Sequence, residues 1–156
     1  MTDTSEAPNG VVLREVSEQD VQTFYENQLD PAAIRMAAFP AKDRETHFSH
    51  WRKTMTDEAV CARTVLFEGD IAGYVVSWSE SDEHKVGYWI GRAYWGKGIA
   101  TDALSQFLRV DPTRPILGYV IKHNVGSIRV LEKCGFTVDS AHPGAESDEV
   151  VLTLTD

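Results

Sequence analysis

Gly87-Tyr88-Trp89-Ile90-Gly91-Arg92-Ala93-Tyr94-Trp95-Gly96-Lys97-Gly98-Ile99-Ala100-Thr101 is the stretch on which the fold turns. Residues 85–90 have the aromatic and β-branched character of a strand. Residues 99–108 carry Ile99, Ala100, Ala103, Leu104, Phe107 and Leu108 as one apolar stripe at helical spacing. A strand therefore runs through a short loop straight into an amphipathic helix. Gly96 and Gly98, at alternate positions, let successive backbone N–H groups turn inward without interference from a Cβ. The helix N-terminus adds unpaired donors and the positive end of a dipole. Together they make a cradle for an anion, with phosphate the usual occupant. A tight strand-to-helix turn that holds nothing is the plainer alternative.

Upstream, residues 1–9 are polar and contain Pro8, which predicts a flexible N-terminal tail ahead of a single domain over 10–156. Residues 11–16 read as a strand. Ser17 and Asp20 then form a near capping box, followed by Val21, Phe24, Tyr25 and Leu29 at helical spacing. Asp30-Pro31 interrupts that helix, and a second one is expected over 43–55, with Phe48, Trp51 and Met55 on one face. Residues 62–67 and 71–78 are strands joined through Glu68-Gly69-Asp70, a tight hairpin. Downstream of the loop, Pro112 and Pro115 stop the helix. A strand over 116–121 follows, then a helix over 125–134 closed by Gly135, then strands over 136–138 and 150–154. The order is strand, two helices, three strands, helix, strand, helix, two strands. It specifies an α/β fold, a mixed sheet with helices packed on it.

The chain has 156 residues, enough for one domain with a sizeable core, and carries 24 Asp and Glu against 15 Lys and Arg. An acidic surface repels a phosphate backbone, so no nucleic acid is expected as a partner. It favours cationic amines at long range, although solubility accounts for the same charge. No apolar run approaches the roughly 20 residues that cross a bilayer, so no membrane partner is expected. The N-terminus lacks the pattern of a signal peptide. Cys61 and Cys134, far apart and each in an apolar context, read as buried thiols, and the expected location is cytoplasmic.

Three nucleotide-binding patterns compete for the glycine loop. A dinucleotide fingerprint needs a glycine where Thr101 stands. A P-loop comes close, with Gly91 followed by Gly96-Lys97, but Gly98 occupies the place of the magnesium-binding Ser or Thr. The third fits better: Tyr94-Trp-Gly-Lys-Gly-Ile-Ala-Thr101 resembles the pyrophosphate loop of the GNAT N-acetyltransferases, whose pattern is Gln/Arg-x-x-Gly-x-Gly/Ala. Ala93 occupies the Gln/Arg position here, with Arg92 one residue early. A second motif agrees in order and placement. Asn124-Val-Gly-Ser-Ile-Arg-Val-Leu-Glu-Lys-Cys-Gly-Phe136 is similar to the late-helix motif of the branch that contains the ribosomal-protein alanine acetyltransferases.

The resemblance implies a single-domain GNAT-like fold: a mixed, mostly antiparallel sheet of six to seven strands flanked by about four helices. It implies acetyl-CoA as co-substrate and an acetyl group moved to a primary amine by direct attack in a ternary complex. The acceptor is an amine-bearing small molecule or a protein N-terminus, and a homodimer is common in the family. Backbone groups of Trp89 and Ile90 would hold the pantetheine arm. Backbone N–H groups of Trp95, Gly96, Lys97, Gly98, Ile99, Ala100 and Thr101 would hold the pyrophosphate. Asn124 would bond the pantetheine arm, or cap the following helix, or do both. Many members use a late-helix Tyr as general acid; Leu131 stands there, and Ser127, one turn earlier, is the substitute. For the base, Glu83 is the candidate, with His84 and Glu80 beside it. Tyr25, Phe39, Phe48 and Trp51 lie in the acceptor half or pack its core, with residues 31–40 expected to shape the pocket. His47 and His50 have helical spacing but no further ligands, so no metal is assigned. With the acid Tyr missing, a non-catalytic acyl-CoA-binding sensor on the same fold is the alternative.

Overall fold

The computed structural model describes residues 10–31, 43–140, 142 and 148–156. The expected tail, Phe39 and nearly all of the expected acceptor-pocket region at 31–40 lie outside those residues. Strand β1 (Val11–Glu15) leads to α1 (Glu18–Gln28) and, later, α2 (Arg44–Thr56). Strands β2 (Cys61–Phe67), β3 (Asp70–Glu80) and β4 (Glu83–Ile90) follow, then a 3-10 turn at Arg92–Tyr94 and helix α3 (Ile99–Val110). Strand β5 (Ile116–Ile121), helix α4 (Val125–Lys133) and strands β6 (Thr137–Val138) and β7 (Glu149–Leu154) complete the fold. The seven strands form one sheet in the order β1-β2-β3-β4-β5-β7-β6. Every neighbouring pair is antiparallel except β4–β5.

Helices pack on both faces, and strand alternation sorts the side chains between them. Val86 and Ile90 of β4 join Ile99, Leu104 and Phe107 of α3 in the larger core. The other face meets α1 and α2: Tyr74 of β3 packs against Phe24 at 4.9 Å and Trp51 at 4.8 Å between ring centroids. Trp89 pairs with Tyr74 across the ladder and so shares that face. Glycine is obligatory at one point between the strands. A Cβ on Gly73 would stand 1.8 Å from the Trp89 carbonyl oxygen, far inside contact distance.

Two buried carboxylates anchor the helices. Asp20, in the first turn of α1, accepts from the Ser17 N–H at 2.8 Å, from Arg14 at 2.6 and 2.8 Å, and from the Thr64 hydroxyl at 2.7 Å. The box read from Ser17 and Asp20 is thus extended by tertiary partners on β1 and β2. Asp111, capping the C-terminal end of α3, accepts from Ser77, from the Thr113 N–H at 3.1 Å and from His84 Nε2 at 2.6 Å. Burial raises the pKa of both, yet these hydrogen bonds outweigh it and hold each at about 2. No helix among the described residues is long and apolar enough to cross a membrane.

Asp20 generates a pH prediction. Its folded pKa lies below the ordinary carboxylate value of about 4, so its stabilisation is complete above that value and is lost as pH falls through about 2. The difference corresponds to about 2 kcal/mol. Asp20→Asn should therefore lower stability by at least that amount at pH 7 and flatten its fall between pH 4 and 2, measured by urea unfolding across that range.

Candidate active site

Strands β4 and β5 run parallel but are joined at one position, Lys85 against Leu117. Beyond it the pairing ends, and a cleft of about 510 Å³ opens between β4 and α4. One wall is β4, through Tyr88, Trp89 and Ile90. The mouth is the loop with Gly96 and Gly98 and the first turn of α3, Ile99, Ala100 and Thr101. The opposite wall is α4, through Asn124, Ser127, Arg129 and Lys133 among others. The cleft thus brings Ser127 together with the expected cofactor residues other than Lys97.

The loop has the geometry that its glycines suggested. Gly96 and Gly98 both sit at φ +78°, in the left-handed region that other residues avoid. A Cβ on either would meet nothing within 4 Å, so the conformation and not crowding demands glycine. Gly98 is the N-cap of α3, and the helical ladder begins with the Asp102 N–H donating to Gly98 O at 3.1 Å. The N–H groups of Ile99, Ala100 and Thr101 therefore have no partner within the helix, at the positive end of its dipole and on residues that line the cleft. Trp95 differs from the expectation. Its N–H donates to Arg92 O at 3.2 Å and its indole to Ile90 O at 2.7 Å, so it shapes the loop through bonds of its own. Lys97 is exposed.

On α4, Asn124 is the N-cap, its side-chain oxygen accepting from the Ser127 N–H at 3.1 Å. Leu131 is buried against Gly118 of β5, which confirms that no acid group stands at that turn. Ser127 Oγ lies 2.6 Å from the hydroxyl of Tyr88, a partner that sequence reasoning missed. Strand parity could have pointed Tyr88 to the α3/α4 face, but its pairing required the tertiary fold. Burial raises the Tyr88 phenol to about 12, so it is a proton-bearing group at physiological pH. Arg129 and Lys133, also missed, sit one turn apart and put positive charge on the cleft wall. Their signal was their helical spacing on a helix already assigned to the site.

Glu83 is not in this cleft. It is the first residue of β4 and shares the parity of Trp89, which directs it to the α1/α2 side of the sheet. There its carboxylate accepts from Tyr119 Oη and pairs with His142 Nε2, each at 2.6 Å. The Tyr119 hydrogen bond leads in holding its pKa below the usual value, so it is ionised at neutral pH. His84 turns the other way, bonded to Asp111 and, at 3.1 Å, to Ser79. Glu80 is exposed and paired with Lys85 at 3.0 Å. His47 is buried with Nε2 3.1 Å from Val21 O. Cys61 and Cys134 are half-buried rather than buried; desolvation still raises both thiols, Cys134 to about 11, which keeps them protonated and unreactive. Also on the α1 side, Asn27 Nδ2 and Trp89 Nε1 are buried donors without a hydrogen-bond partner. Asn27 adjoins the end of β4, its side chain 3.2 Å from where a Cβ on Gly91 would stand.

Comparison with known proteins agrees with this geometry. Residues 11–137 match the family model described as an acetyltransferase (GNAT) domain. No curated protein matches the chain. Among solved structures, the RimL ribosomal α-N-protein acetyltransferase in complex with coenzyme A superposes with a TM-score of 0.77 at 16% identity, covering 96% of each chain. The microcin self-immunity acetyltransferase MccE, in complex with acetyl-CoA and AMP, has a TM-score of 0.72 at 19% identity over 99% of this chain and 100% of its own. An aminoglycoside acetyltransferase in complex with coenzyme A gives 0.73 at 18% identity over 93% and 94%.

Gly98→Ala tests the loop. The left-handed N-cap should cost about 1 kcal/mol of stability by chemical denaturation. Relaxation of the loop should weaken coenzyme A binding about tenfold, read by calorimetry.

Proposed function

The chain belongs to the GNAT acetyltransferase family, and on that premise we propose that it transfers an acetyl group from acetyl-CoA directly to a primary amine in a ternary complex. The observation that carries this reading is the parting of β4 and β5 beyond the Lys85–Leu117 bridge, with a glycine loop and a helix N-terminus at the mouth of the gap. The fit to a pyrophosphate-bearing ligand is chemical as well as spatial. Left-handed glycines, the first turn of α3 at Ile99–Thr101 and the cations Arg129 and Lys133 line one opening. Trp89 and Ile90 line the wall along which the pantetheine arm would lie, and Asn124 lines the other wall from the start of α4.

Bound acetyl-CoA supplies an acetyl group already activated as a thioester. The chain's own residues manage protons on either side of the sheet. From the α4 wall, the Ser127 hydroxyl donates to the departing sulfur. On the α1/α2 side, beside the point where the strands separate, the Glu83 carboxylate receives the ammonium proton of the acceptor. Tyr119 and His142 hold it in place for that role. The half-buried, protonated thiols of Cys61 and Cys134 argue for direct attack over an acetyl-cysteine intermediate. A net charge of −9 favours encounter with cationic acceptors, either amine-bearing small molecules or protein N-termini.

The buried Leu131 keeps a second reading open, that of a non-catalytic acyl-CoA-binding sensor. Calorimetric titration with acetyl-CoA, coenzyme A and magnesium-ATP, followed by a thiol-release assay over a panel of amines, separates the two. Low-micromolar binding of both CoA ligands, about −8 kcal/mol, with amine-dependent thiol release is the expected result. Binding without release would favour the sensor, and binding of ATP alone would sink both. Ser127→Ala should lower kcat about 10- to 100-fold with acetyl-CoA affinity retained. Unchanged turnover in that variant would remove Ser127 from the chemistry.

A further inference from the structure

Ser127 is a weak donor with one proton, and a serine hydroxyl on a helix has other places to put it. Its rotor can turn back to a carbonyl of the preceding turn or toward any neighbouring oxygen. Tyr88 is the neighbour that decides. Its hydroxyl reaches from β4 across the cleft wall to within 2.6 Å of Ser127 Oγ, while the Ser127 carbonyl oxygen lies farther away at 3.4 Å. A phenol is the stronger acid of the two hydroxyls and therefore the better donor, and the shorter contact takes its proton. With one lone pair of Ser127 Oγ so occupied, the serine proton is turned away from Tyr88 and into the space that both side chains line. The phenol, raised to about 12 by burial, keeps its proton throughout the working range of pH.

We infer that Tyr88 is the positioning residue for proton donation to the leaving sulfur, orienting the Ser127 hydroxyl through the 2.6 Å bond between them. The strand supplies the tyrosine hydroxyl that the helix lacks, because Leu131 occupies the helical position and is packed against Gly118. This assignment rests on the acetyl-transfer reading and on the role of Ser127 given above. It adds a residue that acts through Ser127 and does not itself touch the reacting atoms.

The test compares wild type, Tyr88→Phe, Ser127→Ala and the double variant. Phenylalanine keeps the ring and removes only the hydroxyl. Thiol release from acetyl-CoA is followed with spermidine, lysine methyl ester and an alanine-led tripeptide as amine probes, and the probe turned over fastest is carried through. Tyr88→Phe is expected to lower kcat about tenfold, with KM and the calorimetric Kd for acetyl-CoA within about twofold of wild type and the melting temperature held. The double variant is expected to be no slower than Ser127→Ala alone, because two residues that act as one unit are not additive. Wild-type kcat in Tyr88→Phe, with Ser127→Ala impaired, overturns this assignment and leaves the acetyl-transfer reading standing. A loss in Tyr88→Phe that merely follows weaker acetyl-CoA binding or a lower melting temperature also overturns it, as does full additivity. Absence of amine-dependent thiol release in the wild type sinks the underlying reading itself.

Discussion

The backbone bridge between Lys85 and Leu117 is the constraint on which the site depends. Elsewhere the ladders are long: β3 and β4 stay in register from Gly73–Ile90 to Glu80–Glu83, and β5 and β7 over the whole of β5. Those ladders stiffen the two halves of the sheet. The parallel pair at the centre then holds at one end and opens at the other. A gap between sheet strands leaves peptide groups without ladder partners, which is costly unless something else bonds them. An extended, amide-bearing ligand arm is well suited to do so.

The surroundings keep the fault from spreading. Gly73 lets β3 lie hard against the Trp89 carbonyl, and the Trp95 indole ties the loop back to Ile90 O. Asp111 pins the far end of α3 to Ser77 and His84. The helix that supplies the anion cradle is thereby held at both ends, by Gly98 at the mouth and Asp111 at the base. Preorganised donors of this kind avoid the reorganisation that water would demand.

The charge arrangement divides along the sheet. Arg129 and Lys133 stand on the cleft wall of an otherwise acidic protein, while Glu83, Tyr119 and His142 cluster on the opposite face. Positive and negative groups thus lie on opposite faces of the sheet. His84 illustrates how little the sequence position says on its own. One residue from Glu83, it faces the other way and belongs to the Asp111 anchor.

Most of the fold was legible in the chain, because the period of apolar residues switches cleanly between strand and helix and the punctuation is strong. Gly98 before α3, Asn124 before α4, and Ser17 with Asp20 before α1 all mark helix starts that the structure contains. The turn at Ser81-Asp82 left no such mark: both residues take positive φ without a glycine, and β3 and β4 run to its edges. The glycine loop was legible too, since a glycine at positive φ and a helix N-terminus are local properties, set by neighbours in sequence. What only the tertiary structure decided is which side chains meet. Tyr88 and Ser127 are 39 residues apart, Tyr119 and Glu83 36, and His142 and Glu83 59. Such contacts depend on strand parity and sheet order jointly, and a one-residue slip would send each side chain to the other face. The sequence by itself determined the elements, the family resemblance and the place of the glycine loop before α3. The packing of distant strands and helices determined which hydroxyls and carboxylates stand within hydrogen-bonding distance of one another.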